Sequence, residues 1–218
     1  VRVILEADED VIRAVQEYIQ YVEDSFQKKL TESAMLAIMD HLSFAIRRLR
    51  QGIEIRNPFL NEVRSLYPQD YALASEGVKL LERRLQVEIP MDEIGFLALH
   101  LHTARTNQSL SKLNRFSNLI AKLMEVIELQ LNIDINKTSI DYARLITHLR
   151  FAIERTEARQ PLEENHPLST LLQKEYPKSY NLAWKLVKIM QNELNVNIPE
   201  AEVSYLTLHI QRIVSHLE

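Results

Sequence analysis

The sequence predicts an all-α chain made of two homologous five-helix-bundle domains in tandem, and three observations carry that prediction. Apolar residues return at three- and four-residue intervals along nearly all of the 218 residues, the period of helices with one buried face. Only three glycines occur, so little of the chain asks for glycine-rich turns. The chain is also written twice. His41-Leu42-Ser43-Phe44-Ala45-Ile46-Arg47-Arg48 returns as His148-Leu149-Arg150-Phe151-Ala152-Ile153-Glu154-Arg155, at an offset of 107. Leu66-Tyr67-Pro68 returns as Glu175-Tyr176-Pro177, and Ile89-Pro90 through Leu99-His100 returns as Ile198-Pro199 through Leu208-His209, both at 109. The two extra residues fall between Arg155 and His166-Pro167 in a polar stretch. A period this long is a domain duplication and not a solenoid repeat.

The elements follow in order. In the first copy the spacing predicts helices over 9–27, 32–50, 58–66, 69–86 and 91–105, and in the second over 111–131, 138–157, 167–175, 178–194 and 200–216. Thr31 and Thr138 are expected to cap the helices that carry His41 and His148, because a hydroxyl accepts from an N–H that the first turn leaves unpaired. Gly52 follows the second helix, where a left-handed residue ends it. Asn57-Pro58 and His166-Pro167 place proline in the first turn of a short helix. Pro68 and Pro177 break the chain before the fourth helix, and Pro90 and Pro199 open the fifth. Thr106-Asn107-Gln108-Ser109 is the expected linker between copies, too short for a free tether.

Composition excludes several classes. The net charge is −4 with acids and bases interspersed, whereas a nucleic-acid surface shows a basic balance; no DNA contact is expected. No apolar run approaches the ~20 residues of a membrane span, so membrane insertion is not expected either. The first ten residues lack the basic and apolar regions of a signal peptide. There is no cysteine, hence no disulfide and no thiolate metal site. A cytoplasmic location is the simplest expectation, and the missing initiator Met suggests a piece of a longer protein.

Seven histidines occur, and four of them, His41, His100, His148 and His209, pair across the repeat. His102 gives way to Gln211, His166 stands where the first copy has Asn57, and His216 has no counterpart. His41 lies at the edge of the stripe Ile38, Leu42, Ala45 and Leu49, and His148 stands likewise against Leu145 and Ala152. His100 follows Phe96 by one turn and Glu93 by two, as His209 follows Tyr205 and Glu202. An imidazole at the edge of an apolar face is partly desolvated yet reachable. One reading is that all four are core-edge residues satisfied by hydrogen bonds. A metal site fits poorly: His100 and His102 point about 200° apart on a helix, and no His-Glu-x-x-His is present. No Gly-x-Ser-x-Gly and no phosphate-cradling glycine loop occurs, so neither a catalytic residue nor a cofactor is expected. The remaining chemistry is phosphoryl acceptance by the imidazole, whose neutral nitrogen is a nucleophile near neutral pH. Arg48 and Arg155, two turns beyond His41 and His148, are candidates to clamp a phosphoryl group, with a solvated helix face as the alternative.

Asp40-His41-Leu42, the Tyr-Pro turn, and Ile-Pro…Glu…Leu-x-Leu-His together resemble the paired PTS regulation domains of the BglG/SacY family of bacterial sugar-operon antiterminators. Gly95-Phe96-Leu97-Ala98-Leu99-His100-Leu101-His102 and Glu175-Tyr176-Pro177…Tyr180-Asn181-Leu182-Ala183-Trp184-Lys185 look most like the glucose-type members from Gram-positive bacteria. The resemblance spans nearly the whole chain. It implies a residual linker over 1–7 from a missing N-terminal RNA-binding domain, a first regulation domain over 8–106 and a second over 107–218. It implies phosphorylation of His41, His100, His148 and His209, with HPr and a sugar-specific enzyme II permease as donors. It further implies a homodimer that reaches an RNA antiterminator hairpin only through the missing domain. The chain is then expected to be a regulator and not an enzyme. Two rival readings stay open here: a helical dimerisation module with structural histidines, and a phosphorelay intermediate.

Overall fold

A computed structural model describes residues 9–158 and 166–215. Among them ten helices and no strand occur, and the chain divides into two compact units between Asn114 and Arg115.

The first unit holds α1 (Glu9–Phe26), α2 (Glu32–Arg50), α3 (Leu60–Leu66), α4 (Pro68–Leu85) and α5 (Met91–Thr106). Helix α1 buries Val11, Ala14, Val15, Tyr18, Ile19 and Val22, a single stripe that packs on α4 and α2. It stops at Gln27, which is left-handed with φ 51°. The following turn is tied back by Glu23, whose carboxylate accepts from the Leu30 N–H at 2.9 Å and meets the Lys29 ammonium at 2.5 Å. Helix α5 is buried on several sides and packs against α4, α2 and α3, which makes it the central element on which His100 is held.

The second unit holds α6 (Leu110–Leu131) from Arg115 onward, α7 (Ile140–Glu157), α8 (His166–Glu175), α9 (Pro177–Leu194) and α10 (Glu200–Ser215). Here α10 takes the place of α5, packing on α9, α7 and α8. Lys122 of α6 meets Glu193 of α9 at 2.6 Å, much as Glu17 of α1 meets Arg84 of α4 at 2.8 Å. Both α4 and α9 end in a left-handed residue, Gln86 (φ 52°) and Asn195 (φ 55°). Asparagine is among the residues that enter that region more often than most.

The expected all-helical pair of bundles is present, with element ends shifted by a residue or two. Gly52 ends α2 as expected: its φ is 70°, its N–H donates to the Leu49 carbonyl and the Ile53 N–H to the Arg48 carbonyl. Thr31 caps α2, accepting from the Ala34 N–H at 3.3 Å. Two expectations are corrected. The α7 cap is Ser139, which accepts from the Tyr142 N–H at 3.1 Å, while Thr138 donates its hydroxyl to Asn136 Oδ1. Pro58 lies in a turn before α3, because the Asn57 side chain bridges forward to the Phe59 N–H and delays the helix to Leu60. Pro68 and Pro177 are the first residues of α4 and α9, where a missing N–H costs nothing. The expected 1–7 linker and most of the stretch holding the insertion lie outside the described residues, as do His216 and the side chain of His166.

Candidate functional site

In the first unit, His41 of α2 and His100 of α5 come together with ring centroids 4.9 Å apart and planes at 39°. His41 also faces Phe96, at 6.2 Å between centroids, and Phe96 meets Phe59 edge-on at 6.1 Å. Beside the rings, Arg48 Nη2 donates to Glu93 Oε1. The other oxygen of that carboxylate lies 3.4 Å from His41 Nε2. The contacts 41 with 100 and 48 with 93 run in opposite chain directions, so α2 and α5 are antiparallel. Seven residues forward on one helix and seven back on the other reach the same neighbourhood.

The second unit repeats this with different detail. His148 of α7 and His209 of α10 stack at 3.7 Å between centroids and 26° between planes. Arg155 makes a two-pronged pair with Glu202, Nε to Oε1 at 2.9 Å and Nη2 to Oε2 at 2.8 Å. All four histidines singled out by the repeat are therefore brought together two by two, and both arginines lie in their neighbourhood with a carboxylate already bound.

Burial disfavours the charged form of all four rings. Burial first, then the His100 ring and Arg48, push His41 down to about 3. Burial pushes His100 down to about 4 against the pull of Asp40. His209 is pushed down to about 4 by burial, then by His148, Arg212 and Arg144. Burial and Arg155 lower His148 too, opposed by Glu202. A neutral ring keeps a lone pair on one nitrogen, which is what nucleophilic attack needs. Burial pushes Glu93 up while Arg48 pulls it back. No group of three or more metal-binding side chains occurs among the described residues.

Sequence reasoning missed the part played by Glu93 and Glu202. Both are almost fully buried, at 3% and 2% exposure, and both hold an arginine. The available signal was the mirror spacing: arginine seven after one histidine and glutamate seven before the other, in both copies. His102 belongs to a different cluster. Its Nδ1 lies 2.8 Å from Asp70 Oδ2, Arg105 donates to both oxygens of Asp70, and Tyr67 covers the ring at 4.2 Å. In the second unit the same positions carry Ser179, whose hydroxyl donates to Gln211 Oε1 at 2.8 Å.

The family model of the PRD domain matches twice, at residues 16–104 and 121–213. The chain belongs to the PRD family. Each PRD domain carries one of the two histidine pairs just described. Two relatives of this PRD pair are named as antiterminators. The PtsGHI operon antiterminator of Bacillus subtilis (strain 168) is 46% identical over 175 residues, covering 80% of this chain. The chain spans 62% of that protein's length. The GlcA/glcB genes antiterminator of Staphylococcus carnosus (strain TM300) is 34% identical over 212 residues, covering 97% of this chain and 74% of that one. A solved structure described as "Crystal structure of GlcT CAT-PRDI" is 36% identical, covers 49% of this chain and 63% of its own, and has a TM-score of 0.46. The resemblance to BglG-family antiterminators, and to the GlcT type among them, is thus borne out. Among the described residues no helix is long and apolar enough to cross a membrane.

Proposed function

We propose that this PRD pair senses sugar supply, glucose by its kinship, through phosphorylation of His41, His100, His148 and His209. The working domain bounds are 8–106 and 107–218. The observation that carries the reading is the meeting of two neutral imidazoles from separate helices, found in both domains. Packing alone gives little reason to bury a histidine pair twice. The lone pair of a neutral ring nitrogen attacks the phosphorus of a phosphorylated donor side chain. The new N–P bond forms as the donor's bond to phosphorus breaks, and the donor keeps that electron pair. HPr and a sugar-specific enzyme II permease are the donors in this reading. The protein works in the cytoplasm, and the chain itself catalyses nothing further.

The readout is dimerisation, and through it RNA binding by an N-terminal domain ahead of the pair. Phe44 is 60% exposed and Phe151 41% exposed, each three residues after a site histidine. Exposed apolar side chains beside the rings suit a contact with a second copy. A phosphoryl group adds nearly two negative charges, and a two-fold axis sets each one opposite its own copy. Two dianions an assumed ~8 Å apart repel by about 2 kcal/mol in water and about 8 kcal/mol at an effective dielectric near 20. Turning a 1:99 population into 99:1 takes about 5.5 kcal/mol. Interfacial phosphorylation is therefore strong enough to redirect a dimer.

Sedimentation of the chain with and without phosphorylated donors tests this. An association state that changes with phosphorylation in the wild type, and not after His41→Ala or His148→Ala in a folded chain, is the expected result. The same state in every sample would sink the proposal.

A further inference from the structure

The arginines lie beside the rings but are not free to meet a phosphoryl group, because each is already bound to a buried glutamate. We propose that Glu93 and Glu202 are positioning residues that hold Arg48 and Arg155 in reserve, and that a phosphoryl group arriving on a neighbouring imidazole draws each arginine off its glutamate. This rests on the phosphorylation reading above.

Three observations carry it. The first is reach. Glu93 touches Arg48 with one oxygen and lies 3.4 Å from His41 Nε2 with the other, so guanidinium and ring share one carboxylate. A phosphoryl group on His41 arrives within the neighbourhood of the Arg48 fork, and the His100 ring lies 4.9 Å from that of His41 between centroids. The second is competition. A phosphoryl group offers three oxygens and almost two charges, whereas the carboxylate offers two oxygens and one. Guanidinium is the side chain best matched to such an anion. With the arginine gone from its glutamate, the strut between α2 and α5, or between α7 and α10, is released. Phosphorylation would then loosen the helix pair that carries both rings.

The third observation separates the two domains. In the second, Arg155 uses Nε and Nη2 on both oxygens of Glu202. In the first, the Arg48 Nε, Glu93 Oε2 and His41 Nε2 are buried and make no hydrogen bond. Arg48 is only 11% exposed and Glu93 3%, so water does not freely make up the deficit. The first domain's strut is half-made, with a donor unspent, and the second's is complete. The first domain's arginine is the one that yields more readily.

Phosphotransfer equilibria with phosphorylated HPr and with the phosphorylated permease test this on the full 218-residue chain, read as site occupancy by mass spectrometry under mild alkaline conditions. Glu202→Gln keeps the shape but weakens the hold on Arg155, and is expected to raise occupancy of His148 and His209 about tenfold. Glu93→Gln is expected to raise that of His41 and His100 by a smaller factor. Arg48→Met and Arg155→Met should lower occupancy, and the double variants E93Q/R48M and E202Q/R155M should match the arginine variants alone. Glutamine variants with unchanged or reduced occupancy, or double variants that still gain, overturn the proposal. A folded wild type that takes no phosphoryl group from either donor overturns instead the function on which it rests. Should a glutamine variant fail to fold, the wild type still decides. With nitrogen-15 in its arginines, the side-chain N–H signals of Arg48 and Arg155 must move on phosphorylation, and signals that stay put overturn the proposal.

Discussion

His148 and His209 lie face to face, 3.7 Å between ring centroids, although one rides on α7 and the other on α10. Burial disfavours the charged form of both rings, and for His209 repulsion from His148 adds to it. His41 and His100, at 4.9 Å, share the same fate by deeper burial.

That neutrality has a pH signature. In the folded chain His41 titrates at about 3 and His100 and His209 at about 4, against an ordinary value of 6.5. Between those values the unfolded chain binds more protons than the folded one, so stability rises with pH there. The rings' contribution is complete above about 6.5 and is lost as pH falls toward 4. Urea midpoints measured from pH 7 down to pH 5 are expected to drop, and the drop is expected to shrink in His41→Gln/His100→Gln. An equal slope in wild type and variant would count against the neutral-pair account.

Asp70 is 1% exposed. Burial would raise its carboxyl, but hydrogen bonds from His102 and Arg105 outweigh that and hold it below the ordinary range. Asp70→Ala leaves His102 and Arg105 without their anion and is expected to cost about 3 kcal/mol. Ser179→Ala, which removes the neutral counterpart bonded to Gln211, is expected to cost about 1 kcal/mol. Denaturant unfolding of the two variants measures the difference, and equal costs would refute it.

Gly77 is a packing requirement. A Cβ there would stand 2.5 Å from Cε2 of the fully buried Tyr18 ring, and 3.0 Å from Tyr21. Gly77→Ala is expected to destabilise the chain by about 1–3 kcal/mol through overpacking, despite the better helix propensity of alanine. A rise in melting temperature would show that the α1–α4 contact gives way more easily than its burial implies.

The start of α7 offers a local test. Ser139→Ala is expected to cost about 1 kcal/mol by leaving the Tyr142 N–H without its partner. Thr138→Ala, which loses only a bond to Asn136, is expected to cost less. Reversed costs in thermal unfolding would reassign the cap.

The amino-acid sequence by itself determined the helices, their approximate ends, the duplication and the four paired histidines. Helix period, proline and capping hydroxyls act over a few residues, so they are written locally. The residues that surround the rings were only half legible. Arg48 and Arg155 drew notice as cations two turns from a histidine, and Glu93 and Glu202 as neighbours of His100 and His209, but nothing local joined them. Tertiary structure decided that α2 meets α5, and α7 meets α10, antiparallel and in a register that sets arginine on glutamate beside paired rings. It also decided that one pair closes fully and the other only in part. Those outcomes depend on how whole helices pack around a shared core, and no short stretch of chain encodes them.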